Sequence, residues 1–151
     1  VADWLMKSEP EVYSIDDLER DGSTAWTEVR NFKARNFMRE MAVGDRVLFY
    51  HSNADPSGVA GVAEVSAPAH PDPTQFDARS ESFEPKATRE KPYWSCVDVR
   101  FVERLKRFVP LDELKAAKAL DGMLLTSGKA SRLSVQPVEK RHFDAIVKMG
   151  R

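Results

Sequence analysis

The sequence predicts an α+β fold: a small, mainly antiparallel barrel, closed or nearly closed, with helices packed around it. Three observations carry that expectation. Residues 46–51, 59–65 and 93–105 read as strands, with Val47 and Phe49 opposite Leu48 and Tyr50, and with Val97, Val99 and Phe101 alternating with Asp98 and Arg100. Residues 34–41 read as a helix, because Ala34, Phe37, Met38 and Met41 fall at i, i+3, i+4 and i+7. The spacing between strands is too irregular for repeated βαβ units, which argues against a doubly wound parallel sheet.

The elements follow in order. Ala2 to Met6 reads as a short strand, stopped at Pro10. Ser14 with Asp17 three residues on is close to a capping box, and Ile15 and Leu18 give the short helix after it an apolar side. Asp21-Gly22 ends that helix. Ser23 to Thr27 is a connector that carries Trp26. The 34–41 helix bears Lys33, Arg35, Arg39 and Glu40 on its polar face and breaks at Gly44-Asp45. The strand after it ends in Tyr50, His51, Ser52 and Asn53, polar groups at fixed strand-end positions. Gly61, inside the 59–65 strand, implies close approach by another backbone or a ligand. Residues 67–92 hold five of the nine prolines and read as a long excursion with one short turn near Gln75-Phe76. Pro110 to Leu114 opens a helix, 119–130 is irregular, Ser131 to Val138 is a strand, and Glu139 to Met149 closes as a helix with Phe143, Ile146 and Val147 inward.

Composition narrows the class. The 151 residues suit one domain, 1–151, large enough to bury a core. With 42% hydrophobic and 31% charged residues, the chain reads as an ordinary soluble protein. No apolar run approaches the ~20 residues needed to span a membrane, so no membrane partner is expected. The stretch VADWLMKSEP carries an early acid and does not read as a secretory signal. Cys96, the single cysteine, reads as a core filler and suits a reducing, cytoplasmic setting. The net charge of −1 conceals an asymmetry: residues 30–46 hold five bases against Glu40 and Asp45, whereas 1–29 hold eight acids against Lys7 and Arg20. That pattern is either a patch for an anionic partner or a set of solvated faces.

His51, His70 and His142 share no ligand-type spacing, so neither a metal nor any other cofactor is expected. Residues 122–130 only echo a phosphate loop, with five residues between the glycines and Ala130 where a hydroxyl belongs; Lys129 remains a candidate phosphate contact. No nucleophile elbow is present. Lys7 and Glu9 share a face of an extended segment and form either an ion pair or a lysine–carboxylate working pair. Trp26 lies among polar residues just before Arg30 and Asn31; it either caps the core or forms a stacking wall. With Asn31, Ser52 and Ser134 it could frame a pocket that stacks a base and reads its edge.

Taken together, WLMKSEP (4–10), YSIDDL (13–18), W-x-x-VRN-x-x-ARN (26–36), VGDRVLFYHSN (43–53), GVAGVAEV (58–65), DPTQFD (72–77), VDVRFVE (97–103) and SRLSVQPV (131–138) resemble the EVE domain family of the PUA-like superfamily. Each segment alone is weakly specific; the ordered set spans almost the whole chain. The resemblance implies a PUA-like pseudobarrel related to the YTH domains, which hold a methylated base in an aromatic-walled pocket. It implies a non-enzymatic, monomeric, bacterial-type single-domain protein that reads a modified base in DNA or RNA, modified cytosine favoured. The matching segments would supply the pocket from Lys7, Ser8, Glu9, Trp26, Val29, Arg30, Asn31, Ala34, Asn36, Tyr50, His51, Ser52, Arg132, Leu133, Ser134 and Val135. Phosphate contacts would come from Lys33, Arg35, Arg39 and Lys129. Glu28 departs from the pattern, since the family usually has glycine between Trp26 and Val29; an acid there could alter the rim and repel phosphate. Two other readings stand beside this one. The first is a small hydrolase of a modified nucleoside using Lys7 and Glu9, as PUA-like relatives of another family hydrolyse amides. The second is a protein-interaction module whose basic face meets an acidic partner.

Overall fold

In the computed structural model, which describes residues 1–151, six strands form one sheet. They are β1 (Asp3–Ser8), β2 (Ser23–Ala25), β3 (Arg46–His51), β4 (Gly58–Pro71), β5 (Ser95–Pro110) and β6 (Val135–Val138). Their order across the sheet is β2-β5-β4-β3-β1-β6. All neighbours are antiparallel except β1 and β3, which run parallel with Trp4 opposite Val47 and Ser8 opposite His51. The α-helices are α1 (Ile15–Asp21), α2 (Phe32–Glu40), α3 (Leu111–Ala116) and α4 (Lys140–Met149). No helix is long and apolar enough to cross a membrane.

The period-2 alternation of β3 divides the core in two. Val47 and Phe49 point into one apolar cluster with Trp4, Met6, Val97, Val99 and the buried faces of α1 and α2. Leu48 and Tyr50 point into a second cluster with Leu5, Leu105 and Val109 and with Phe143 and Ile146 of α4. The sheet is thus covered on both faces. Val47, Phe49, Val97 and Val99 are buried as expected, and Phe101 is half-buried against the first cluster.

The expected barrel closure is not observed. The sheet is open, with β2 and β6 as its two edges. These are its shortest strands, three and four residues, and they offer few backbone groups for closing a ladder. Helix α2 instead packs against both β5 and β6, and its own N–H and C=O groups are committed within the helix. The edge position of β6 also explains how Pro137, which has no N–H, is tolerated in a strand.

Local signals hold elsewhere. Ser14 and Asp17 form the reciprocal capping box of α1. Gly61 sits where a side chain would meet Ile15 Cδ1 at 2.5 Å and the Glu103 carbonyl at 2.7 Å, so the close approach is to α1 and to β5. Strand β4 runs on to Pro71, into the region read as an excursion, through register shifts between Val65 and Ala67 and between Ala67 and His70. A single 3-10 turn, Pro73–Phe76, follows. Residues 131–134, read as strand, are a turn, and only 135–138 pair.

Candidate functional site

Parallel pairing of β1 and β3 brings the C-terminal ends of both strands to one side of the sheet. A cleft of about 430 Å³ opens there, within the usual size for a small-ligand site. It is lined by Lys7, Ser8 and Glu9 at the end of β1, by Val12 and Tyr13, by residues 24–30 and by Ser134. Trp26 lies on its wall. The indole is only 8% exposed and meets the Phe49 ring edge-on, with centroids 5.4 Å apart. Trp26 is therefore both part of the core and part of the cleft.

The rim beside Trp26 is held by a buried carboxylate. Asp72 is fully buried and accepts hydrogen bonds from the Glu28 N–H (2.7 Å), Arg30 (3.1 Å), the Thr74 N–H (2.8 Å) and the Thr74 hydroxyl (2.6 Å). Burial alone would raise the Asp72 carboxyl; these hydrogen bonds outweigh it and hold the group below its ordinary range. Arg30 also donates to the Val29 and Ser82 carbonyls and to Thr74, so its guanidinium is occupied by the protein. It ties the 72–84 segment to the cleft wall. Glu28 adopts φ 69°, a left-handed conformation that favours glycine. Its carboxylate, on the rim, accepts from the Ser82 hydroxyl at 3.1 Å.

The sequence matches the model of the EVE domain over residues 2–149. The chain belongs to the EVE domain family. Human thymocyte nuclear protein 1 is 41% identical over 97% of this chain and 72% of that relative. An uncharacterised protein of Schizosaccharomyces pombe is 30% identical over 98% of this chain and 68% of its own length. Among solved structures, a hypothetical protein from Leishmania major superposes with a TM-score of 0.94 at 49% identity, covering 99% of this chain and 94% of that one. A crystal structure of human THYN1 protein in complex with DNA containing 5-methylcytosine superposes with a TM-score of 0.92 at 39% identity, covering 100% of this chain and 98% of that one. A Zymomonas mobilis ASCH protein, at 13% identity and a TM-score of 0.57, shares the fold alone.

Within this EVE domain, Lys7, Ser8, Glu9, Trp26, Val29, Arg30 and Ser134 are brought together in the cleft. The remaining predicted site residues are not part of its lining. Asn31 caps α2 by accepting from the Ala34 N–H, and Ala34 is buried beneath that helix. Asn36 is exposed and accepts from Arg35. Tyr50 is buried in the second cluster, while Leu133 and Val135 are buried in the first. His51 is outside the lining, and its Nε2 accepts from the Ile15 N–H at 3.1 Å. Burial pushes its pKa below the ordinary value. The Ser52 N–H donates to the Ser8 carbonyl, which locks the two strand ends together. Arg132 is exposed on the turn before Ser134.

Lys7 and Glu9 make no ion pair with each other. Lys7 Nζ donates to the Ser131 carbonyl at 3.2 Å, and Glu9 Oε1 accepts from the Asn53 side chain at 2.6 Å. Burial lowers the Lys7 pKa. Of the basic residues, Lys33, Arg39 and Lys129 are exposed. Arg35 is half-buried and donates to the Tyr93 carbonyl, and Arg39 donates to Ser95. Burial first, and then Arg39, lowers the Arg35 pKa.

The cleft residues Val12, Tyr13, Thr24, Ala25 and Thr27 escaped sequence reasoning. Tyr13 carried one usable signal: it precedes the Ser14 cap and lies off the apolar face of α1. Asp72 carried another, because Asp-Pro-Thr is a helix-cap sequence, and Asp72 does cap the 73–76 turn. No group of three or more His, Cys, Asp or Glu is placed to hold a metal ion. Cys96 lies 3.6 Å from His70, which meets Asp98 at 2.9 Å, but the thiol is buried and desolvation pushes it up to about 12. It is a thiol at neutral pH, not a nucleophile.

Proposed function

We propose that this EVE domain is a non-enzymatic binder of nucleic acid that takes a modified base, modified cytosine first, into the Trp26 cleft. One observation carries the reading: the likeness over the whole chain to the human protein in complex with 5-methylcytosine DNA. The cleft is consistent with it. Its volume suits a single base, Trp26 offers an aromatic wall, and Lys7, Ser8, Glu9 and Ser134 offer hydrogen-bonding groups for a base edge. Lys33, Arg35, Arg39 and Lys129 would contact phosphates, giving affinity without sequence preference. DNA is the first partner to test and RNA the second. The test is titration of single- and double-stranded oligonucleotides, with and without modified cytosine or adenine, over a range of salt. Equal affinity for modified and unmodified strands sinks the base-reading claim; no salt-dependent binding sinks the nucleic-acid claim.

A second reading rests on one observation, that a half-buried Lys7 with a lowered pKa and Glu9 share the cleft. In that reading the domain hydrolyses a modified nucleoside. Lys7 and Glu9 bond to Ser131 and Asn53 and form no ion pair with each other, so the pair is not assembled for turnover, which favours binding. Product release from modified nucleosides, absent in a Lys7→Ala variant, would reverse that preference.

A further inference from the structure

The wall of the cleft continues outward as a stack of side chains. Arg30 lies over the Trp94 ring with its Cζ 5.3 Å from the centroid. On Trp94 lies Phe32, with ring centroids 4.8 Å apart and planes 23° from parallel. Trp94 is buried; Phe32 is 54% exposed. Arg35 stands beside this stack and not beyond it, because its Cζ is 4.7 Å from the Phe32 centroid and 5.9 Å from that of Trp94. A group over the far face of Phe32 would be much farther from Trp94. With one face on Trp94 and 54% of the residue exposed, Phe32 leaves much of its ring open to solvent.

The surroundings of that ring are cationic. Phe32 is the first residue of α2, whose first turn holds no acid and includes Lys33. The helix N-terminus adds its own partial positive charge. Two carboxylates reach the stack, both through its inner members: Asp72 lies 3.1 Å from Arg30, and Glu84 lies 3.4 Å from Trp94 Nε1. An exposed apolar ring at a basic helix start is poorly explained by folding, since it buries little. It suits a planar, anionic chain. An aromatic ring stacks any base, and neighbouring cations hold its phosphate. Phe32 follows Arg30 by two residues, a Cα separation of at most about 7 Å, so the platform adjoins the cleft.

We propose that Phe32 is a second stacking site, for the nucleobase that neighbours the one entering the Trp26 cleft. The proposal rests on the nucleic-acid reading above. Phe32 would clamp the strand beside the extruded base without reading its identity, while Lys33 and Arg35 contact the intervening phosphate.

The test compares the full chain with Phe32→Ala, Phe32→Leu and Phe32→Tyr, using oligonucleotides with a single 5-methylcytosine and their unmethylated counterparts. Stacking on one ring predicts a roughly tenfold loss of affinity in Phe32→Ala. Phe32→Leu, which still covers Trp94 but has no ring face, should lose as much, and Phe32→Tyr should bind like the parent. The methylated-to-unmethylated ratio and the salt slope should stay constant throughout. Thermal unfolding of Phe32→Tyr and Phe32→Leu should stay close to the parent; Phe32→Ala uncovers Trp94, so its affinity is measured below its own unfolding transition. If the parent binds oligonucleotides and Phe32→Leu binds as well as the parent, Phe32 is only a cover for Trp94. A changed methylated-to-unmethylated ratio in Phe32→Ala would put Phe32 in base reading and overturn the neighbour assignment. A parent that ignores every oligonucleotide, or that binds an acidic peptide through Phe32 instead, overturns both this proposal and the reading beneath it.

Discussion

The guanidinium of Arg30 lies 3.1 Å from the fully buried carboxylate of Asp72, and this pair fixes the rim of the cleft. Arg30 stands two residues before Phe32 in the chain; Asp72 begins the segment that crosses over it. Arg30→Ala should cost about 2–3 kcal/mol, the usual value of hydrogen bonds to a buried charge. The loss is limited because Asp72 keeps its bonds from Glu28 and Thr74. Urea unfolding measures it. A loss below about 0.5 kcal/mol, the range of ordinary surface changes, would mean the pair does not hold the rim.

Glu28 should be replaceable by glycine without harm to the fold. Its φ of 69° costs an L-residue about 1–2 kcal/mol, and glycine gives back roughly 0.5–1 kcal/mol of that in extra chain freedom. Glu28→Gly should therefore be as stable as the parent or up to about 1 kcal/mol more stable. Glu28→Ala keeps the Cβ and should show no gain. Under the proposed function, removing the carboxylate should raise oligonucleotide affinity at low salt, with the gain shrinking as salt screens it. A clear destabilisation of Glu28→Gly would instead make the Glu28–Ser82 hydrogen bond the main support of the rim.

His51 predicts a pH dependence of stability with a defined sign. Its folded pKa lies below its ordinary value of 6.5 because burial disfavours the cation. The unfolded chain then binds the proton more readily than the folded one, so stability rises with pH through this window. It should be full above pH 6.5 and fall as pH drops through the lowered folded value. Protonation also removes the acceptor of the Ile15 N–H. Asp72 acts in the same direction but lower, below its ordinary 3.8. Urea unfolding between pH 4.5 and 7 separates the two, and the slope in that range should vanish in His51→Gln. A parent with a flat profile there would count against a neutral, buried His51.

The elements that could be read from the sequence are those whose fate is local. The alternation of β3 assigned Val47 and Phe49 to one cluster and Leu48 and Tyr50 to the other. The stripe of α2 marked Ala34, Met38 and Met41 as buried, with Phe37 packed on Trp4. The Ser14 cap and the close approach at Gly61 are likewise local facts. What escaped is pairing between distant segments. Nothing in residues 3–8 or 46–51 states that they run parallel, and nothing near Lys7 states that residues 24–30 and Ser134 meet it in one cleft. The three residues of β2 are too few for a periodic signal. Buried polar hubs were also hidden. Asp45 looked like a turn residue, but it is buried and accepts from Trp4, Ala2 and Ala42. Buried Gln75, within the proline-rich excursion, binds the main chain of Trp94 in both directions. Tyr50, His51 and Ser52 put polar groups at the end of β3. Yet Tyr50 packs in the second cluster, His51 accepts from the Ile15 N–H, and the Ser52 N–H donates to the Ser8 carbonyl. Strand alternation does not encode these contacts with distant segments.

Trp26 tests the site and the core together. It is 8% exposed, packs edge-on against Phe49 and lines the cleft, so one substitution should move two readouts. Trp26→Ala should cost about 3–5 kcal/mol of stability, as expected for truncating a buried aromatic. Trp26→Phe keeps an aromatic face toward both Phe49 and the cleft, and should cost about 1–2 kcal/mol, within the usual range of single substitutions. If a base stacks on the indole, affinity for the modified oligonucleotide should fall roughly tenfold to a hundredfold in Trp26→Ala, and by less in Trp26→Phe. The two quantities are separable, because affinity is measured below the unfolding transition and corrected for the folded fraction. The methylated-to-unmethylated ratio should fall with the affinity, unlike in the Phe32 variants, where it stays constant. A Trp26→Ala protein that is destabilised yet binds modified and unmodified strands like the parent, once folded, would leave Trp26 in the core and remove it from the site.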